Sequence, residues 1–139
     1  MNTNIEYDAV NHPHHYVKNA VHVEPKELTG RINSALGQAL QYIIRREDKE
    51  NEVQDLQKAC FWLREFISYY TDKVAFSDPI PFTDENLMRD ADAYWRIWME
   101  HTNDGLTMDV LKAMRTSEGY VTINGVESAI KMIEETLNL

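Results

Sequence analysis

The residues best placed to do chemistry lie between Asn33 and Arg45. No charged side chain occurs from Asn33 to Ile44, in a chain that is 27% charged. At about 100° per residue, the repeat of an α-helix, Ile32, Ala35, Leu36, Ala39, Leu40, Ile43 and Ile44 gather on one side. Ser34, Gln38, Gln41 and Arg45 gather on the other, with Tyr42 at the edge. A helix face that meets only water usually carries Glu and Lys. Amides, a phenol and a terminal arginine fit an ordered contact instead. One candidate for that contact is another helix or subunit. The other is a polar ligand, whose hydrogen-bonding edges the amides would read and whose anionic group Arg45 would take.

A second group follows. Glu52 and Asp55 sit one helical turn apart and could share a magnesium ion. Helical carboxylate pairs of this kind occur in all-α nucleotide pyrophosphohydrolases. The plainer reading is that both acids lie in the first turn of a helix and complement its dipole, as Arg45 and Arg46 do at a helix end. Lys58 could pair with Asp55. Further upstream, His12, His14 and His15 fall within four positions around Pro13. That proline makes the stretch an extended arm. The spacing matches no zinc module, so no metal site is predicted. His15 can donate hydrogen bonds there, and Tyr16 offers a stacking face.

Two helices must position these groups. The first runs from about Arg31. The second carries Val53, Leu56, Ala59, Cys60, Leu63, Phe66, Ile67 and Tyr70 at helical spacing. Glu47-Asp48-Lys49-Glu50 interrupts the apolar pattern, and Asn51 with Gln54 reads as a capping box. The expectation is an antiparallel αα-hairpin. Before it, Val17, Val21 and Val23 alternate with polar residues as in a short strand, and Glu24 to Glu27 reads as a helical turn ending near Gly30. After it, Phe76 to Phe82 reads as a linker with two prolines. Thr83 and Asn86 start a third helix that ends in the apolar run Tyr94 to Met99. A short helix spans Thr107 to Arg115, Tyr120 to Ile123 is extended, and Asn124 opens the last helix.

Composition narrows the function classes. The chain has 139 residues and a net charge of −9, with pI ≈ 4.9. Residues 1–75 carry 9 basic and 11 acidic side chains, and residues 76–139 carry 5 and 12, so the second half is the more acidic. Nucleic-acid binding needs a basic footprint and is not expected. An anionic ligand would favour the first half, with Arg31, Arg45, Arg46, Lys49 and Lys58. A basic protein partner would favour the second. The single cysteine, Cys60, excludes an internal disulfide framework and reads as a small buried hydrophobe. No apolar run approaches the roughly 20 residues of a membrane span, and the first residues lack a signal-peptide pattern. No membrane association is expected, and a cytoplasmic setting fits. Neither Gly-x-x-x-x-Gly-Lys-Ser/Thr nor Gly-x-Gly-x-x-Gly is present, so a P-loop enzyme is excluded.

Several of these residues together resemble a known family. His12-Pro13-x-His15-Tyr16, the Glu24 segment, Gly37-Gln38, Tyr42-x-x-Arg45, Lys49, Glu52, Asp55-Leu56, Lys58-Ala59 and Trp62-Leu63 are similar to a family of small bacteriophage proteins catalogued as a domain of unknown function. One branch of it is known as nucleotide kinases acting on deoxynucleoside monophosphates. The resemblance spans about residues 10 to 70. It implies a phage protein acting in the infected host's cytoplasm on a nucleotide or nucleotide-derived small molecule. The site residues so implied are His15, Tyr16, Gln38, Gln41, Tyr42, Arg45, Lys49, Asp55 and Lys58. The family usually carries Gly-Asn at Gly37-Gln38 and Lys-Tyr at Gln41-Tyr42. Loss of that lysine cation weighs on phosphoryl transfer more than on binding. Mg²⁺ enters only if the protein is an enzyme. The alternative is a non-catalytic anti-defence protein that sequesters a nucleotide signal or inhibits a host defence protein.

The expected fold is mainly α: a central antiparallel helical hairpin with a helical C-terminal extension and an extended N-terminal arm. Residues 1–9 would form a flexible N-terminus, 10–75 the nucleotide-kinase-like hairpin domain, and 76–139 the extension. The uncharged stripe and the Trp95/Trp98 cluster offer sticky surface, so a homo-oligomer is expected.

Overall fold

Asn33 sets the start of the principal helix. Its side-chain Oδ1 accepts hydrogen bonds from the Ala35 and Leu36 N–H groups at 2.9 and 3.3 Å, which satisfies two of the free donors of a helix N-terminus. The structure is a computed structural model that describes residues 21–46 and 51–138. Among these it is mainly helical, with six α-helices: α1 Pro25–Thr29, α2 Ser34–Arg45, α3 Glu52–Tyr70, α4 Met88–His101, α5 Gly105–Met114 and α6 Ile123–Leu137. A 3₁₀ turn, Glu85–Leu87, leads into α4. Helices α2 and α3 form the expected hairpin. No helix among the described residues is long and apolar enough to cross a membrane.

One hydrophobic cluster runs through all of these helices. It includes Leu28 of α1, Leu36, Leu40 and Ile43 of α2, and Leu56, Leu63 and Phe66 of α3. It continues through Trp95 and Trp98 of α4, Leu111 and Met114 of α5, and Ile130 and Ile133 of α6. The helices beyond residue 76 thus share the hairpin's core. Arg46 adds a polar tie. Its guanidinium donates to the Asp104 carboxylate at 2.6 and 3.0 Å and to the Ile43 carbonyl at 2.8 Å, and Thr107 donates to the same carboxylate. Both charged side chains are about nine-tenths buried.

Several local expectations need correction. His22 has φ of 62°, a left-handed conformation that no strand contains, so Val21 and Val23 do not continue an extended run. Val21 is instead buried in the core. Asn51 occupies the N-cap position of α3 but makes no side-chain cap bond. Asp84, not Thr83, caps the turn before α4, and Thr122 caps α6, which begins at Ile123. Residues 76–82 are more than a linker. Ile80 pairs with Val121 through two backbone hydrogen bonds of 2.7 and 3.0 Å, and the Asn33 N–H donates to the Phe82 carbonyl at 2.6 Å. The Phe82 ring stacks on Trp95 at 4.8 Å. Trp95 and Trp98 are fully buried, so they supply no adhesive surface.

Candidate functional site

Gly37 is the position that brings α1 against α2. A β-carbon there would lie 2.6 Å from the Thr29 carbonyl oxygen, closer than any real contact allows. With glycine, the two backbones approach. The Thr29 hydroxyl then donates to Gln41 Oε1 at 3.0 Å. The outer edge of this contact is a shallow groove of about 220 Å³, lined by Lys26, Thr29, Gly30, Ser34, Gly37, Gln38 and Gln41. Gln38 and Ser34 are exposed on it, and Gln41 is half-buried. The uncharged polar stripe thus becomes one wall of a groove. Lys26 and Thr29 form the other wall. Sequence reading missed these two, because the helix that carries them has five residues and shows no periodicity.

One turn further along α2 stands a second group. The Tyr42 ring lies under the Arg45 guanidinium at 4.8 Å and within 5.4 Å of the Lys58 ammonium, which reaches across from α3. Each contact is a cation–π interaction worth about 0.5–1 kcal/mol at an exposed site. They hold two cations on opposite helices around one aromatic ring. The expected pairing of Lys58 with Asp55 does not occur. Asp55 is 4% exposed, and its Oδ2 is buried without a hydrogen-bond partner. The Nε of Arg45 is likewise buried without one.

Glu52 and Asp55 meet different surroundings. Glu52 is exposed and leans on Arg46 Nε at 3.6 Å, whereas Asp55 turns inward. Among the described residues, no group of three His, Cys, Asp or Glu side chains could hold a metal ion. Of the nine residues expected at the site, Gln38 and Gln41 line the groove. Tyr42, Arg45 and Lys58 form the basic–aromatic cluster, with Asp55 one turn from Lys58. His15, Tyr16 and Lys49 lie outside the described residues. Cys60 is buried, and that burial pushes its thiol pKa up, with nearby Arg64 opposing the shift. A buried, protonated thiol is a poor nucleophile.

Comparison with known proteins bears on this same region. Residues 10–64 match a protein family described as a protein of unknown function, DUF3310. The chain is similar to that family over α1, α2 and α3 as far as Arg64, the stretch that holds both the groove and the cluster. Helices α4 to α6 lie beyond the match. No curated protein matches. No solved structure matches either.

Proposed function

We propose that this protein binds a nucleotide or a nucleotide-derived small molecule on the polar side of the α2–α3 hairpin. The observation that carries the reading is the Tyr42 ring with the Arg45 guanidinium at 4.8 Å and the Lys58 ammonium at 5.4 Å from its centre. Two cations gathered by one phenol provide for a phosphate, and the flat Arg45 guanidinium can also stack on a base. The exposed, uncharged amide of Gln38 extends the polar surface along α2 and offers both a donor and an acceptor. The resemblance of the hairpin residues to phage nucleotide kinases points the same way.

Within this reading, binding without turnover is favoured over phosphoryl transfer. Gln41 stands where the resembling family carries lysine, and its Oε1 is engaged by Thr29. Phosphoryl transfer depends on cations aimed at the transferring group. A protein that sequesters a nucleotide signal needs only the binding half of that chemistry. Arg45→Ala should weaken binding of a nucleoside phosphate by about 10- to 150-fold, the usual range for removing a charged hydrogen-bond partner. Lys58→Ala should act in the same direction, and the helical circular dichroism spectrum should not change. Incubation with ATP and a monophosphate separates the two forms. A kinase yields diphosphate, whereas a sequestering protein returns its ligand unchanged. Unaltered affinity in both variants would remove the cluster from the site.

A further inference from the structure

Arg45 lies one turn beyond Tyr42, towards the hairpin connection. Asp55 lies one turn from Lys58 in the same direction. Because Tyr42 and Lys58 meet across the antiparallel pair, Arg45 and Asp55 fall at about the same level on facing helices. Opposite charges at one level of a hairpin would ordinarily join. Here Asp55 Oδ2 and Arg45 Nε are each buried, and neither has a hydrogen-bond partner. An unpaired carboxylate oxygen shielded from water is costly to a fold. Two such atoms at about one level of the hairpin mark an arrangement held for something other than stability.

We infer that Asp55 reads the hydrogen-bond donors of the ligand, while Arg45 and Lys58 take its anion. A carboxylate oxygen is an acceptor, so what completes it is an N–H or O–H group. The ligand class is therefore a phosphate ester that also carries donors, either on a base edge or as sugar hydroxyls. A bare polyphosphate would leave Asp55 unsatisfied. This inference rests on the nucleotide reading of the Arg45–Lys58 cluster and adds a selectivity to it. Asp55 also differs from Asp104, whose carboxylate accepts from Arg46 and Thr107.

The test is Asp55→Asn, which keeps the shape and replaces one acceptor by a donor. Affinity is measured by calorimetry against ribonucleoside monophosphates, their 2′-deoxy counterparts, ribose 5-phosphate and pyrophosphate. The expected result is a loss of at least about tenfold for the nucleoside monophosphates, with pyrophosphate within twofold of wild type. A loss confined to the ribo forms and ribose 5-phosphate places the sugar hydroxyls on Asp55. An equal loss with the deoxy forms places the base edge there. Melting of the ligand-free variant adds an independent readout. Replacing the buried carboxylate by a neutral amide of the same shape should raise the midpoint by about 2 °C or more. A variant that binds nucleotides like wild type, or that melts lower, overturns the role of Asp55 and leaves the nucleotide reading standing. Wild-type protein that binds no nucleotide at all overturns both.

Discussion

Asp104→Ala tests whether the hairpin and the C-terminal helices fold as one unit. Asp104 sits at the N-cap position of α5 and accepts two hydrogen bonds from Arg46, at 2.6 and 3.0 Å, plus one from Thr107. The Arg46 and Asp104 side chains are 8% and 10% exposed. Removing one partner of such a buried pair typically costs about 3–5 kcal/mol, because the other charge stays behind uncompensated. Arg46 keeps the Ile43 carbonyl at 2.8 Å and Glu52 at 3.6 Å, which places the cost at the lower end, about 3 kcal/mol. For a chain of this size, that corresponds to a fall in Tm of roughly 6–12 °C. Glu134→Ala is the internal comparison. It breaks the Arg64–Glu134 pair, whose side chains are 54% and 47% exposed, and should cost under about 1 kcal/mol. The assay is thermal and urea unfolding of both variants beside wild type. One transition should persist in each. Equal effects from Asp104→Ala and Glu134→Ala would refute the reasoning, as would two separate transitions.

Other outcomes follow from particular contacts. Gly37→Ala places a β-carbon 2.6 Å from the Thr29 carbonyl, so α1 must shift; stability should fall by about 1–3 kcal/mol, read by urea midpoint, and ligand affinity should fall with it. Burial by itself would raise the pKa of Asp92, but hydrogen bonds from Arg115 and Arg96 outweigh it and hold the carboxyl below its usual range. A depressed carboxyl contributes stability that is present above its unfolded pKa of about 3.9 and is lost as pH falls through the folded value. Asp92→Asn should therefore lower stability at pH 7 and flatten its loss below about pH 4, as measured by urea unfolding at each pH. Light scattering should give a multiple of 16.2 kDa at micromolar concentration; the monomer mass would reject the homo-oligomer.

The hairpin was legible because its signal is local. Apolar residues recur at the helical period in α2 and α3, and helical period alone decides which side chains share a face. The polar stripe was legible for the same reason, since Gln38, Gln41, Tyr42 and Arg45 belong to one helix. What could not be read is set by contacts between distant segments. Nothing local in the sequence marks Asp104 as a partner of Arg46, and only folding brings it there, 58 positions away. The Phe76–Phe82 stretch looks like a linker because prolines break its pattern, yet Ile80 and Phe82 fill the core once Val121 and Trp95 are present. The tryptophan cluster misleads for a related reason. An apolar helix end has to be buried, and sequence does not say whether a second copy or the same chain buries it. Here α5 does part of that work, since the Trp95 indole N–H donates to the Leu111 carbonyl at 3.2 Å. Helix capping was read one or two residues off, because Asp84 and Thr122 compete with neighbours of equal propensity.

Calorimetric titration of the wild-type protein with mono-, di-, tri- and cyclic nucleotides tests the central claim most directly. The expected result is saturable heat with at least one phosphate-bearing nucleotide, weakened by about 10- to 150-fold in Arg45→Ala at an unchanged helical spectrum. The contradicting result is no heat with any of them, which would make the polar face of α2 a protein interface and put inhibition of a host protein first.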